Sequence, residues 1–264
     1  MNAAELKKAA HERGADLVGV APAERWADWP GADNPRVIQP QCQSVIVIGR
    51  RMVRGAFRGV EEGTNFGSTY RMYGADWHEN TFLVRVVHAI ALALEATGAE
   101  AVPLLGGGTG LDCNALAHAA GLGSVGKGGF FLTPEYGHRQ RFALVLTDAA
   151  LDGDPVADLD FCNDCNACLD ACPLSALRDA GGATFEIDTR LCAICENGRV
   201  HGGSLSYAKL DRFAASCGRA CLVALEGKTG NAFHERFRKR SVWSRDVDGK
   251  ATLHPVNATT GGSK

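Results

Sequence analysis

The chain contains no apolar run long enough to cross a bilayer. Its longest apolar stretch, Val86 to Leu94, is interrupted by His88, whereas a spanning helix needs about 20 apolar residues. The opening residues, MNAAELKKAAHERGADLVGV, have neither an apolar signal core nor a twin arginine. Charge of one sign is also missing: 28 basic residues face 30 acidic ones, for a net charge of −2. That balance removes the electrostatic footprint of a general nucleic-acid or lipid-surface binder. No repeat of solenoid period runs along the sequence. The expected location is therefore the cytoplasm, with no membrane partner. Thiols stay reduced there, so the ten cysteines are poorly explained by disulfides and better explained by metal.

The 264 residues suffice for one or two domains. Residues 3–13 read as a helix closed by Gly14, and 15–22 and 44–49 as strands, the second of the buried type. A long helix is expected over 76–97, with Leu83, Val87, Ile90 and Leu94 on one stripe. A strand at 99–105, a short helix at 111–120 and strands at FFLT and 141–148 follow. This alternation points to an α/β layer architecture. LDGDPVADLD reads as an acidic linker, and all eight clustered cysteines come after it. The expected division is a 1–155 α/β cofactor and substrate domain, a 156–230 cysteine-rich domain, and a 231–264 C-terminal helix and tail. Within the cysteine-rich part, 183–189 reads as a hairpin strand and 204–216 as a helix.

FCNDCNACLDACP spaces Cys162, Cys165, Cys168 and Cys172 as C-x2-C-x2-C-x3-C-P. This is the bacterial ferredoxin run, whose first three thiolates hold one cluster and whose fourth holds another. Two-residue gaps let a tight loop wrap one cubane, and the longer step starts a helix that carries the fourth sulfur away. The second half is split: LCAIC supplies Cys192 and Cys195, and SCGRACL supplies Cys217 and Cys221 after a 21-residue insert. The crossed rule assigns Cys162, Cys165, Cys168 and Cys221 to one [4Fe–4S] cluster. Cys172, Cys192, Cys195 and Cys217 fall to the other. Leu222 stands where a proline is usual. A zinc ribbon would need two C-x2-C pairs without this rhythm. Cys42 and Cys113 stand alone and read as small buried hydrophobes, with a functional role as the minority reading for Cys113.

AGLGSVGKGG contains a literal G-x-G-x-x-G at Gly121, Gly123 and Gly126. It follows a helix and leads to a strand, the reverse of a dinucleotide-binding fingerprint. Lys127 is followed by Gly128, so the hydroxyl of a P-loop is missing as well. Two readings stay level: an amide-rich loop (Gly121, Gly123, Ser124, Val125, Gly126, Lys127) lying against a large flat cofactor, or a plain structural turn. DWHENT resembles the corrinoid D-x-H-x-x-G element with Thr81 in place of the glycine, so His78 reads as structural rather than as a cobalt ligand. His118 reads as a satisfied helix residue. HERFRKR (234–240) reads as a solvated helix face, with RNA contact as the minority reading.

HAAGLGSVGKGGFFLTPEYGHRQRFALVLTD followed by FCNDCNACLDACPLSAL resembles the epoxyqueuosine reductase superfamily, which is related to reductive dehalogenases. ADLVGVAPAERW and YGADWH agree with that pattern, so the resemblance covers roughly 10–225. It implies an α/β cobalamin-binding-type domain followed by a small dicluster ferredoxin-like domain. It implies base-off cobalamin without histidine on cobalt, reduced by the clusters, and a low-potential ferredoxin- or flavodoxin-type donor. It implies Asp112 as proton donor and Tyr73 as an active-site tyrosine, with Tyr70 close by. The resemblance is to a short form, without the helical-repeat domain that grips tRNA. The expected substrate is therefore a small molecule or modified nucleoside, and tRNA is disfavoured. The competing function is a dicluster electron carrier without chemistry of its own, and an RNA-binding module ranks third.

Overall fold

Asn2 starts the first helix by accepting from the Glu5 amide, while the Glu5 side chain returns to the Asn2 amide. This reciprocal cap satisfies two otherwise orphaned N–H groups. The computed structural model describes residues 1–57, 70, 77–105, 110–156, 158–195, 212–213 and 215–230, with the backbone of 241–245 and 251–255. In chain order the first elements are α1 (Ala3–Glu12), β1 (Leu17–Pro22), β2 (Ser44–Arg51), a π-helical turn (His78–Leu83) leading into α2 (Val84–Glu95), and β3 (Ala101–Leu105). Then come α3 (Cys113–Ala119), β4 (Ser124–Val125), β5 (Phe131–Leu132) and β6 (Gln140–Thr147). The cysteine-rich part adds α4 (Ala167–Asp170), β7 (Leu177–Arg178), β8 (Glu186–Ile187), α5 (Thr189–Ile194) and α6 (Ser216–Leu225). Where a C-terminal helix and tail are expected over 231–264, the described backbone instead forms two antiparallel strands, β9 (Ser241–Arg245) and β10 (Ala251–Pro255), that satisfy each other's hydrogen bonds.

The main sheet has the order β1-β2-β6-β3. The expected mixture of helices and sheet is present, but every pairing in this sheet is antiparallel. The apolar run of β2 explains why sequence alone does not reveal this. Ile46 and Ile48 face one core with α1 and α2, while Val45 and Val47 face a second core with Trp26 and Leu116. A strand covered on both faces loses its polar alternation whichever way its neighbours run.

The long helix expected over 76–97 is not uniform. Its first turn, from His78, is π-helical, and regular α geometry begins only at Val84. Leu83, Val87, Ile90 and Leu94 form the buried stripe as the pattern requires. The FFLT strand pairs with Ser124–Val125, and the 183–189 strand reduces to β8 against β7. Of the helix expected at 204–216, residues 204–211 and 214 lie outside the described residues, and α6 begins at Ser216. Tyr73, the 234–240 stretch and the last nine residues also lie outside them.

The acidic segment expected to be a linker is pinned in place. Asp154 pairs with Lys7 and accepts from the Val20 amide at 3.1 Å. Arg25 donates to the Asp154 and Ala119 carbonyls at 2.6 and 2.7 Å. Beyond it, Phe130, Leu132, Leu177, Phe185 and Leu225 gather with Cys168, Cys217 and Cys221 into a separate apolar cluster. Phe130 and Leu132 belong to the segment before β6, so the two parts of the chain share walls. Among the described residues no helix is long and apolar enough to cross a membrane.

The 121–123 turn gives a stability test. Gly123 has φ +153, and a Cβ there would lie 1.9 Å from the Leu132 carbonyl oxygen. Gly98 has φ +87 but open space around it. Gly123→Ala is expected to cost about 3 kcal/mol or more, and Gly98→Ala only about 1 kcal/mol from backbone strain. Thermal unfolding of the two variants checks this ordering.

Candidate functional site

The ferredoxin-like run folds through short local contacts. The Cys165 amide donates to the Cys162 carbonyl at 3.2 Å, closing the first two-residue gap. α4 then carries Cys168 into the interior, and its end returns the Cys172 amide to the Leu169 carbonyl at 3.1 Å. The Ala176 amide donates to Cys172 Sγ at 3.2 Å. Asp188 caps α5 through the Arg190 and Leu191 amides at 3.0 and 3.1 Å, which sets Cys192 and, just past the helix end, Cys195. Cys217 and Cys221 lie one turn apart on α6, about 6 Å along its axis.

These eight thiols surround two cavities. Cys162, Cys165, Cys168 and Cys221 line the first with Gly126, Gly128, Phe130, Leu132 and Leu225. Cys172, Cys192, Cys195 and Cys217 line the second, with Arg212, Ile187 and Pro173 among its other walls. The run 162–172 and helix α6 therefore each give a cysteine to both cavities, the same grouping that the crossed spacing assigns. Among the described residues, no three histidine, cysteine or carboxylate groups converge on a single-ion site. The sulfurs ring a space instead of meeting at a point, which suits a body of several atoms.

Electrostatics favours a cationic occupant. Burial pushes the Cys168 thiol up to about 11, and Cys217, Cys162 and Cys165 add to the rise. Burial likewise raises Cys221 well above the ordinary thiol value, with Cys168 and Cys162 next in effect. Burial raises Cys217 too, while Arg212 pulls it back. Thiolates so crowded and so dry need positive charge between them. Small residues make the room: a Cβ on Gly126 would meet Cys162 Sγ at 2.8 Å, and one on Gly128 would meet Cys168 Sγ at 2.7 Å. Donor set, space and cradle all fit an iron–sulfur cluster in each cavity.

The glycine loop presents a different picture for a flat cofactor. A Cβ on Gly121 would meet the Pro155 carbonyl at 2.4 Å, and Gly123 is closed in by Leu132. Ser124 Oγ accepts from the Leu159 amide at 3.0 Å. Lys127 donates to the Asn163 carbonyl at 3.1 Å, and Val125 is exposed. The loop packs against its own chain and the first cavity. His118 holds the loop, donating from Nδ1 to the Gly123 carbonyl at 2.8 Å. Asp112 caps α3 through the Asn114 and Ala115 amides at 2.9 and 3.2 Å. Tyr70 is buried beside Phe57 and receives Arg141 at its hydroxyl. Cys42 is buried, with its thiol raised to about 11 chiefly by burial. Cys113 packs at the edge of the second core.

Sequence reasoning missed two residues. His138 is fully buried, donates from Nε2 to the Gly218 carbonyl at 2.8 Å, and stacks on Phe130 at 5.0 Å. It thus ties β6 to the helix that carries Cys217 and Cys221. Arg212 donates to the Gly128 carbonyl at 2.8 Å and lies 4.6 Å over the Phe130 ring. The only hint of either was position: GHRQRF leads into a buried strand, and DRF precedes SCGRAC.

No family model matches the chain. A tetrachloroethene reductive dehalogenase from Dehalobacter restrictus is 30% identical over 182 residues, 66% of this chain and 30% of that protein. An epoxyqueuosine reductase from Synechocystis sp. is 30% identical over 172 residues, 63% of this chain and 55% of that protein. The chain thus spans between about a third and about half of the length of these two relatives. A solved reductive dehalogenase, reported as suggesting a mechanism for B12-dependent dehalogenation, superposes with a TM-score of 0.58. It does so at 18% identity over 94% of this chain and 39% of its own.

Burial lowers His138 from 6.5 to about 4, with Arg139 and Arg141 adding to the effect against the Gly218 bond. The unfolded chain therefore takes up a proton near pH 6.5 that the folded one refuses. The stability contributed is whole above pH 6.5 and is lost as pH falls toward 4. Between pH 6.5 and 5 the loss is about 2 kcal/mol from this residue, and His78, also lowered to about 4 chiefly by burial, adds to it. Anaerobic thermal unfolding at the two pH values should show a smaller acid loss in His138→Gln than in the parent protein.

Proposed function

As a member of the superfamily that joins epoxyqueuosine reductases to reductive dehalogenases, this chain is, we propose, an oxidoreductase that uses two [4Fe–4S] clusters to reduce a corrinoid, which in turn reduces the substrate. The observation that carries the cluster half is the crossed grouping of eight thiols around two adjacent cavities. The corrinoid half rests on the relatives, one of them reported as B12-dependent.

In this reading Cys162, Cys165, Cys168 and Cys221 hold the first cluster, and Cys172, Cys192, Cys195 and Cys217 hold the second. Bound clusters supply reversible one-electron transfer at low potential. The chain's own part is to exclude water and fix the sulfurs. Phe130, Leu132 and Leu225 wall the first cavity with hydrocarbon. The Ala176 amide at Cys172 Sγ stabilises that thiolate by a hydrogen bond. Residues 1–155 form the cofactor and substrate part, 156–230 the dicluster part and 231–264 the C-terminal part. Proton delivery is assigned to Asp112, exposed at the head of α3, and to Tyr73. Electrons come from a ferredoxin- or flavodoxin-type donor.

The substrate is a small molecule or a modified nucleoside. The sequence-based expectation against tRNA is not carried forward, because an epoxyqueuosine reductase is among the relatives. A second reading, a dicluster electron carrier, is favoured by one observation: Gly121 and Gly123 are closed in by the chain's own backbone at Pro155 and Leu132.

Anaerobic reconstitution tests both halves. The parent protein is expected to bind about eight irons, and Cys165→Ala and Cys195→Ala about four each. Iron unchanged in both variants would remove the cluster assignment. Titration with cobalamin should change the corrin absorbance. No change, with full iron content, would leave the carrier reading in place. Turnover of an epoxyqueuosine-modified tRNA stem loop would establish tRNA as a substrate, and its absence alongside turnover of the free nucleoside would restore the earlier expectation.

A further inference from the structure

Arg212 occupies a position that the cluster assignment alone does not explain. Arg212 is among the residues that line the second cavity. Nη2 is spent on the Gly128 carbonyl at 2.8 Å, in the loop that packs against Cys168 of the first cavity. The plane lies 4.6 Å over Phe130. Nη1 is buried and has no hydrogen-bond partner among the described residues. A buried guanidinium N–H left unpaired is costly, so the position calls for an acceptor. Among the described residues, the cavity that Arg212 lines is walled by the sulfurs of Cys172, Cys192, Cys195 and Cys217, by hydrocarbon and by Ser216, whose hydroxyl already accepts from Arg219 at 3.0 Å. The first cavity differs: its walls are glycine, phenylalanine, leucine and cysteine, with no cation among them.

We propose that Arg212 is a positioning residue that makes the two clusters unequal, raising the reduction potential of the cluster held by Cys172, Cys192, Cys195 and Cys217 above that of its neighbour. This rests on the two-cluster reading above. Reduction adds one electron, and one negative charge, to the cluster. A fixed positive charge and an N–H donor beside it stabilise the reduced form more than the oxidised one. No proton need move. The second cluster then accepts the electron first in a reductive titration, and the first takes it only at lower potential. The aromatic contact and the Gly128 bond fix the guanidinium plane, which explains arginine rather than lysine here.

Electron paramagnetic resonance-monitored titration of the anaerobic, iron-replete protein tests the proposal in Arg212→Gln and Arg212→Lys. Iron and sulfide content are measured on the same samples, so a failure of the cluster reading shows as missing iron in the parent protein. With iron retained, Arg212→Gln should lower the reduced-to-oxidised ratio of one cluster about tenfold at fixed potential, about 59 mV for one electron. The other cluster should stay where it was. Arg212→Lys should shift that ratio less than the glutamine variant does. Full iron with both potentials unchanged, or with both moved equally, overturns the proposal. Should Arg212→Gln lose iron, parent protein labelled with 15N in its arginine guanidinium groups decides. A 15N coupling to the first-reduced cluster supports the assignment, and its absence overturns it.

Discussion

Eight thiols gathered in two groups, four of them buried, cannot all ionise in a dry interior unless positive charge sits among them, and this constraint governs the architecture of the second half of the chain. The thiols of Cys168, Cys217 and Cys221 are all raised by burial. Each of the two helices α4 and α6 has a buried cysteine lining the first cavity, and each cavity takes walls from both the 162–172 run and α6. The short helices, the two-residue gaps and the small β7–β8 hairpin carry little apolar area of their own. In the two-cluster reading, such a unit would draw much of its folding free energy from the metal bound by its sulfurs.

The antiparallel sheet contributes through its edges rather than its centre. The segment between β4 and β6 leaves the main core, passes beneath the first cavity as Gly126, Gly128 and Phe130, and returns. His138, at its far end, reaches the helix of Cys217 and Cys221, while Arg212 reaches back to Gly128. Asp154 and Arg25 hold the exit of the sheet against α1, β1 and the end of α3. The geometry of the two cysteine-lined cavities is thereby coupled to the packing of the α/β core.

The sequence discloses what local spacing controls. The Cys162–Cys172 run, its crossed partner set and the apolar stripe of α2 could all be read from residue order. So could both cores of β2, because a run apolar at every position must be covered twice. What could not be read depends on contacts between distant residues. The antiparallel pairing of β2 with β6 leaves no mark on two strands that are buried on both faces. The π-helical turn at His78 has the same residue types as an ordinary helix start. Gly121 and Gly123 imitate a cofactor loop, yet the bodies they admit are the carbonyls of Pro155 and Leu132. Asp112, assigned a proton by resemblance, spends one oxygen capping α3. Arg212 and His138 gain meaning only once α6 and the β5–β6 connection lie side by side.

An iron-edge anomalous difference map from crystals grown without oxygen tests the central claim most directly. The account requires two separate groups of iron, the first bonded to Cys162, Cys165, Cys168 and Cys221 and the second to Cys172, Cys192, Cys195 and Cys217. A single ion in either cavity, or Cys172 and Cys221 exchanged between the two groups, would contradict it.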